Sequence, residues 1–265
     1  MKKNLILALL TILIAFSIKG QQTNWDSLAK EAAKTEIYAP VPRIVTPGNN
    51  PPDAPPDALI LFNGENLDAW YGDDSTKAPG WVISDGIVTV NKKTGGIMTK
   101  QFFLDYQLHL EWKIPINITV SGQSRGNSGV FLAYLGMKDG LFEQGYEVQI
   151  MDSYKNDTYV NGQNGSVYKQ YAPLVNACKK PGEWQTYDII WKAPRFNKDN
   201  SLKSPAYLTV IQNGILIQNH VKVKGQTLWV GHPIYKPHGA SPIRLQSHPD
   251  PSEPISFRNI WIRTL

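Results

Sequence analysis

The stretch Tyr106-Gln107-Leu108-His109-Leu110-Glu111-Trp112-Lys113-Ile114 decides the fold class of this chain. Its apolar and polar residues alternate strictly along its whole length. A period of two is typical of a β-strand that has one face in the core and the other in water. We therefore expect a long strand of a β domain here, with Trp112 pointing inward and His109 and Glu111 solvated.

The rest of the chain has the same β character. Asp85-Gly86 and Asn213-Gly214 each stand between two short apolar runs, which is a strong signal for a two-residue hairpin turn. Further strands are expected at residues 129–134, 146–151, 187–192, 243–248 and 255–262. Many short strands without strand–helix alternation predict an all-β sandwich or jelly roll of two antiparallel sheets.

The first residues have the pattern of an export signal. Lys2 and Lys3 precede an apolar run over residues 5–18, and Gly20 is followed by polar residues. This order predicts a cleavable signal peptide at residues 1–20, and the run is short for a membrane span. An uncleaved anchor is the alternative. With no cysteine near the cleavage region, we expect a periplasmic or secreted protein, not a lipoprotein.

Charge and cysteine content exclude some classes of partner and stabilisation. The chain has 27 basic and 22 acidic residues, and loss of the leader removes three lysines and no acid. The mature surface is therefore close to neutral and shows no basic cluster, so no nucleic-acid partner is expected. Cys178 is the only cysteine, so it forms no intramolecular disulfide and is expected to be a buried, inert thiol. The oligomeric state stays open.

Two different segments fill residues 21–57. Asp26 or Ser27 is expected to cap a short Ala-rich helix that ends near Lys34. Residues 38–57 are rich in proline and are expected to lie extended, without ladder hydrogen bonds. This arm is either a strap across the domain or a spacer.

Polar residues share one face of the strand expected at 146–151. Glu147 and Gln149 point away from the core in regular alternation, and a bulge after Ile150 would bring Asp152 to the same face. Carboxylates and an amide in a row on a sheet suit sugar binding or acid–base chemistry. Ordinary solvated strand polarity is the alternative.

A second polar face lies near the C-terminus. Arg244, Gln246 and His248 alternate with apolar residues, and Arg258 follows in the next expected strand. Histidine suits proton transfer and arginine suits anion stabilisation. Gathered beside Glu147, these residues would form a site with defined roles.

A series of short motifs identifies a family resemblance over about Leu59 to Leu265. The motifs are Leu61-Phe62-Asn63-Gly64-Glu65-Asn66-Leu67-Asp68-Ala69-Trp70, Trp81-Val82-Ile83-Ser84-Asp85-Gly86, Leu110-Glu111-Trp112-Lys113, Gly126-Asn127-Ser128-Gly129-Val130, Gly145-Tyr146-Glu147-Val148-Gln149-Ile150-Met151-Asp152, Pro181-Gly182-Glu183-Trp184, Asn213-Gly214, Leu245-Gln246-Ser247-His248 and Phe257-Arg258-Asn259-Ile260. In number, order and spacing they resemble the 3-keto-disaccharide hydrolase family. The resemblance implies a concanavalin-like jelly roll over residues 58–265, with the ligand site on its concave face. One departure is the run Pro249 to Pro254, which follows His248 where family members have glycine and a short turn.

The resemblance also implies a chemistry and a set of residues. A ketone at carbon 3 of a sugar acidifies the hydrogen on carbon 2, so a modest base removes it and the group on carbon 1 leaves by β-elimination before water adds. The catalytic candidates are Glu147 or His248 as base, and Arg258 with Gln149 as oxygen stabilisers. The substrate-binding candidates are Asn127, Gln149, Asp152 and Gln246. No organic cofactor is expected; a divalent cation could bind such a site, which this spacing does not establish.

Two other functions remain open. A retaining glycosidase of the laminarinase type carries three carboxylates on one bulged strand, and Glu147, Gln149 and Asp152 echo that spacing with an amide in the middle. A non-catalytic, lectin-like domain is the other alternative, with Trp70, Trp184 and Trp229 as candidate sugar-stacking residues. In each case the expected ligand is a small carbohydrate.

Overall fold

A computed structural model describes residues 24–44, 54–138, 142–251 and 254–265. The expected signal peptide and the middle of the proline-rich arm, residues 45–53, lie outside the described residues. Within those ranges, no helix has the length and apolar character needed to cross a membrane.

The N-terminal segment forms one helix and one short strand. Helix α1 (Trp25–Ala33) begins after Asn24, whose side chain accepts a hydrogen bond from the Ser27 backbone N–H at 3.1 Å. The cap is therefore Asn24 rather than Asp26 or Ser27. In the proline-rich arm, β1 (Arg43–Ile44) pairs in parallel with residues 175 and 176, outside the arm.

Short strands make up most of the regular structure in the rest of the described chain. The segments between them contain single 3₁₀ turns at Lys92–Thr94, Gly122–Ser124 and Val160–Gly162. In chain order they are β2 (Leu59–Phe62), β3 (Trp70–Tyr71), β4 (Val82–Ser84), β5 (Ile87–Thr89), β6 (Ile97–Thr99), β7 (Tyr106–Lys113), β8 (Ser128–Phe131), β9 (Met137–Lys138), β10 (Phe142–Glu143), β11 (Glu147–Ile150), β12 (Val175–Asn176), β13 (Trp184–Lys192), β14 (Arg195–Phe196), β15 (Leu202–Ser204), β16 (Tyr207–Gln212), β17 (Ile215–Lys222), β18 (Arg244–Leu245) and β19 (Ser256–Thr264).

Two antiparallel sheets form a jelly-roll sandwich, as the sequence predicts. One has five strands in the order β11-β8-β18-β6-β3, and the other has eight, in the order β17-β16-β13-β7-β19-β5-β4 with β2 also paired to β19. The apolar faces meet in one core, where Tyr146 of the first sheet contacts Trp191 of the second at 5.1 Å between ring centroids. Trp112 points into this core and is fully buried, as expected.

Both predicted hairpin turns are present. Asp85 and Gly86 join β4 to β5, and Asn213 and Gly214 join β16 to β17. All four residues have positive φ, between 52° and 81°. Two consecutive positive φ angles are what a type I′ turn requires, and they explain the Asp-Gly and Asn-Gly pairs.

The expectation that the polar face of β7 is solvated was wrong. His109 and Glu111 are buried, because Trp261 stacks on the His109 ring at 5.0 Å. Arg258 lies opposite Glu111 and Trp261 lies opposite His109, so β19 has one more residue than β7 between these pairs. This bulge, at which Asn259 has a φ of 46°, turns Trp261 onto the outer face of the sheet.

Candidate functional site

The polar face of the five-stranded sheet holds most of the candidate residues. Glu147 of β11 lies opposite Phe131 of β8, which in turn lies opposite Arg244 of β18. One step along, Gln149 lies opposite Gly129, and the Gln246 N–H donates to the Gly129 carbonyl at 2.9 Å. The alternation seen in the sequence therefore places side chains of three neighbouring strands on one surface, away from the core.

Glu147 is a buried acid that reaches across to the neighbouring strand. A Cβ atom on Gly129 would lie 2.3 Å from Glu147 Oε1, so the carboxyl group occupies the space that a side chain at position 129 would fill. Among the described residues, none donates a hydrogen bond to this carboxyl group. Burial, and then the charge of Glu143, raise the pKa of Glu147 well above its usual range. Both effects favour the protonated form of Glu147.

Arg244 anchors a charged cluster beside Glu147. Its Nε lies 2.5 Å from Glu143 Oε1, its Nη2 lies 2.6 Å from Asp73 Oδ1, and its guanidinium stacks on the Tyr134 ring at 4.7 Å. Gln246 Nε2 donates to the other oxygen of Glu143. The buried guanidinium is thus paired with two acids, and Glu143 binds both Arg244 and Gln246.

Two amides form the floor of the site. Gln149 Nε2 donates to Asn127 Oδ1 at 2.8 Å, which fixes the orientation of the Asn127 amide. No described residue accepts a hydrogen bond from Asn127 Nδ2. Because Asn127 is only partly buried while Gln149 is fully buried, Asn127 can donate to a ligand and Gln149 orients it.

His248 lies at the rim, next to a carboxylate that the sequence analysis did not single out. Its Nδ1 is 3.2 Å from Asp250 Oδ2, and the imidazole is 37% exposed while the Asp250 side chain is 3% exposed. Lys92 Nζ donates to the Asp250 carbonyl at 2.8 Å and to Oδ1 at 3.0 Å. A proton on Nδ1, facing Asp250, leaves Nε2 of His248 as the acceptor.

Asp152 does not join Glu147, so the expected bulge was wrong. Strand β11 ends at Ile150, and Asp152 turns to Arg125, whose Nε lies 2.5 Å from Oδ2. Its other oxygen accepts from the Tyr154 N–H at 2.9 Å. Asp152 also lies near Cys178, where burial above all raises the pKa of the thiol to about 12. Cys178 is a buried thiol of the core, as the sequence predicts.

Arg258 lies on the other sheet, so the structure does not bring it to Glu147. On the outer face of the eight-stranded sheet its Nε lies 2.6 Å from Glu111 Oε2, and its guanidinium stacks on Trp184 at 4.1 Å. The whole core separates this face from Glu147. Arg258 compensates the charge of a buried carboxylate that the bulge in β19 covers.

Three acidic residues of the site were missed in the sequence analysis. Glu143 ends the short strand β10, and Asp73 and Asp250 lie in connecting segments. Glu143 and Asp73 contact Arg244, more than 100 positions away in the sequence, and Asp250 contacts His248 and Lys92. Arg244 was placed on the polar face but given no role; an arginine between the apolar residues Ile243 and Leu245 of an expected strand was the available signal. Within the described ranges, no three His, Cys, Asp or Glu side chains are grouped as metal ligands. The cation therefore stays a prediction.

A polar sheet face with a buried acid, amides and an arginine is typical of carbohydrate-active jelly-roll proteins. Comparison with known proteins agrees with this class. The chain belongs to the family of the 3-keto-alpha-glucoside-1,2-lyase-like domain, which matches residues 57–263. Among curated proteins, the comparison found no match.

Solved structures from Parabacteroides distasonis resemble the chain. One, described as a "putative glycosyl hydrolase", is 54% identical, covers 88% of this chain and 95% of its own, and has a TM-score of 0.75. A second with the same description is 21% identical, covers 79% of this chain and 94% of its own, and has a TM-score of 0.57. The second likeness supports the fold alone.

Proposed function

We propose that this chain cleaves 3-keto-glycosides, by removal of the proton on carbon 2, β-elimination of the group on carbon 1 and addition of water. The observation that carries the proposal is the buried carboxyl group of Glu147, which lies over Gly129 on the same polar face as Asn127 and Gln246 and receives no hydrogen bond from a described residue. Family membership supplies the substrate class. Export to the periplasm or the medium is part of the proposal and rests on the leader.

His248 is the proposed base. Asp250 faces Nδ1 and favours the tautomer in which Nε2 carries the lone pair that takes the proton from carbon 2. Burial raises the pKa of Glu147 and so favours its protonated form, which donates a proton and does not accept one. The same property makes Glu147 a suitable acid for the leaving oxygen.

The enolate requires a hydrogen-bond donor at the oxygen on carbon 3. Asn127 Nδ2 is the proposed donor, since Gln149 holds the amide oxygen and turns the NH₂ group away from itself. The positive charge of Arg244, which is paired with Glu143 beside Gln246, makes the surroundings of the enolate less negative. Arg258 has no part in this step.

The bonds and protons balance over two half-reactions. In the first, carbon 2 loses its proton to His248, the bond from carbon 1 to the leaving oxygen breaks, and Glu147 protonates that oxygen. In the second, ionised Glu147 takes a proton from water as its oxygen bonds to carbon 1, and His248 returns a proton to carbon 2. The net reaction is hydrolysis, and both residues regain their starting states.

The test compares a 3-keto-glucoside with the matching unoxidised glycoside. We expect the mature protein to release the leaving group from the keto sugar alone, and Glu147→Gln to reduce that release about 100-fold or more. Glu183→Gln, at an exposed position, is the matched control. In deuterated water, turnover should place deuterium on carbon 2. Turnover without deuterium would contradict the enolate route.

An ordinary retaining glycosidase is the second candidate, because the carboxyl groups of Glu143 and Glu147 lie in one site, where the charge of Glu143 acts on Glu147. That pairing is the one an acid and a nucleophile require, at a separation of about 5–5.5 Å. Release from the unoxidised glycoside would favour this function. Binding of both sugars without release of either would favour a lectin-like domain.

A further inference from the structure

Three aromatic rings from distant parts of the chain meet beside the polar site. Trp25 of α1 lies 6.0 Å from Trp229 and 6.5 Å from Phe142, and Phe142 lies 5.9 Å from Trp229. We call Trp25, Phe142 and Trp229 the aromatic cluster. Trp25 remains 52% exposed, and the other two rings are partly exposed. The cluster thus presents aromatic surface to solvent instead of closing a core.

A buried lysine holds two parts of the cluster together. Lys169 Nζ donates to the Ala32 carbonyl at the end of α1, at 2.6 Å, and to the Trp229 carbonyl at 3.0 Å. Its side chain is only 3% exposed, and burial lowers its pKa. Burying an ammonium group costs free energy, which the two hydrogen bonds offset. The same hydrogen bonds fix the position of α1 relative to the Trp229 segment.

The aromatic cluster lies where the active face begins. Phe142 precedes Glu143, which binds Arg244 and Gln246. The Thr227 hydroxyl, two residues before Trp229, accepts from the Glu147 backbone N–H at 3.0 Å. Two separate segments therefore connect the rings to the two carboxyl groups of the site.

We infer that the aromatic cluster is a binding subsite for the leaving half of the substrate, and that this half carries a ring, either a second pyranose or an aromatic aglycone. The inference rests on the proposed function, in which Glu147 protonates the leaving oxygen. Rings with an apolar face stack on tryptophan and phenylalanine, and an exposed indole supplies this area without loss of much side-chain freedom. The N-terminal helix, which precedes the matched residues 57–263, thereby becomes part of the substrate site.

The test changes the leaving group and Trp25 together. Trp25→Ala should raise KM about fivefold for a 3-keto-disaccharide and leave KM unchanged for the methyl 3-keto-glucoside, whose leaving group has no ring. Tyr207→Ala, a partly buried aromatic residue of β16 that stacks on His220 at 4.5 Å on the opposite sheet, is the matched control and should change neither value. Equal effects of Trp25→Ala on both substrates would overturn the subsite.

A binding measurement separates this inference from the proposed reaction. Calorimetry with unoxidised trehalose and methyl α-glucoside needs no turnover. We expect the wild-type protein to bind trehalose more tightly, and Trp25→Ala to remove that difference. Equal binding of the two sugars by the wild type, or no binding of either, would overturn the subsite even if keto-glycosides are cleaved. If the wild type cleaves no keto sugar but prefers trehalose, and Trp25→Ala loses that preference, the subsite is supported and the reaction is refuted.

Discussion

The carboxyl group of Glu147 occupies the place that a side chain at Gly129 would take, since a Cβ atom there would lie 2.3 Å from Oε1. The Glu147 carboxyl group can thus take this position only because residue 129 of the neighbouring strand is a glycine. It also opens the surface between Glu147 on β11 and the residues of β18, where a sugar ring must fit.

Gly129→Ala is expected to reduce kcat about 100-fold, because the added methyl group displaces the Glu147 carboxyl group by about an ångström or more. Gly129 has no positive φ, so alanine fits the backbone and the fold should persist. Steady-state kinetics on a 3-keto-glucoside and a thermal melt measure the two effects. Gly239→Ala, where nothing lies within 4 Å of the added atom, is the control. Unchanged kcat in Gly129→Ala would contradict the role of Glu147.

Asp250→Asn should lower kcat tenfold to a hundredfold with little change in KM. The amide keeps the shape of Asp250 but no longer favours a proton on His248 Nδ1, so fewer molecules present a basic Nε2. His248→Gln should remove at least as much activity. Asp199→Asn, in an exposed turn, is the matched control. A rise in KM at constant kcat would mean that Asp250 shapes the rim and has no influence on the base.

The sequence predicts the fold and the side chains that share each polar strand face, and both predictions rest on the same reason. Alternation along one strand depends on local geometry, so it places Glu147 and Gln149 on one face and Arg244 and Gln246 on another. It does not say which faces belong to the same sheet. Arg258 was grouped with Glu147 because both lie on polar strand faces, although their strands are in different sheets.

Departures from regular alternation were beyond prediction for a related reason. The bulge at Asn259 turns Trp261 outward and buries His109, and Asp152 leaves the strand because Arg125 binds it. Glu143 and Asp250 reach the site from connecting segments, whose path depends on contacts made only in the folded chain. In each case a tertiary contact decides the orientation.

Glu143→Gln should move the alkaline limb of the activity profile to lower pH. In the proposed reaction Glu147 must be protonated, so activity is present below its raised pKa and is lost as pH rises through that value. Removing the negative charge of Glu143 removes one of the two causes that raise this pKa, and the pKa falls. The measurement is kcat/KM against pH for the 3-keto-glucoside. A limb that stays in place, or moves to higher pH, would show that another group controls it.

Arg258→Ala is expected to lower stability and spare catalysis. Burial acts to raise the pKa of Glu111, but hydrogen bonds from His109, Asn259 and Arg258 overcome it and lower the pKa to about 2. Since this is below the unfolded value of 4.5, the stabilisation from Glu111 is present above about pH 4.5 and is lost as pH falls toward 2. Arg258 is partly exposed, so we expect a loss of about 1 kcal/mol, or about 2–4 °C in Tm.

The pH dependence of that loss is the stricter measurement. Thermal melts of the wild type and Arg258→Ala should differ at pH 6, and the difference should shrink as pH falls toward 2, the pH at which Glu111 of the folded wild type begins to lose its charge. Arg263→Ala, whose ion pair with Asp57 is exposed, is the control and should have a smaller effect at both pH values. Since Arg258 lies on the sheet opposite Glu147, kcat for the 3-keto-glucoside should stay within about twofold of wild type at temperatures below the melt. A fall in kcat of about 100-fold with unchanged Tm would instead assign Arg258 to the reaction.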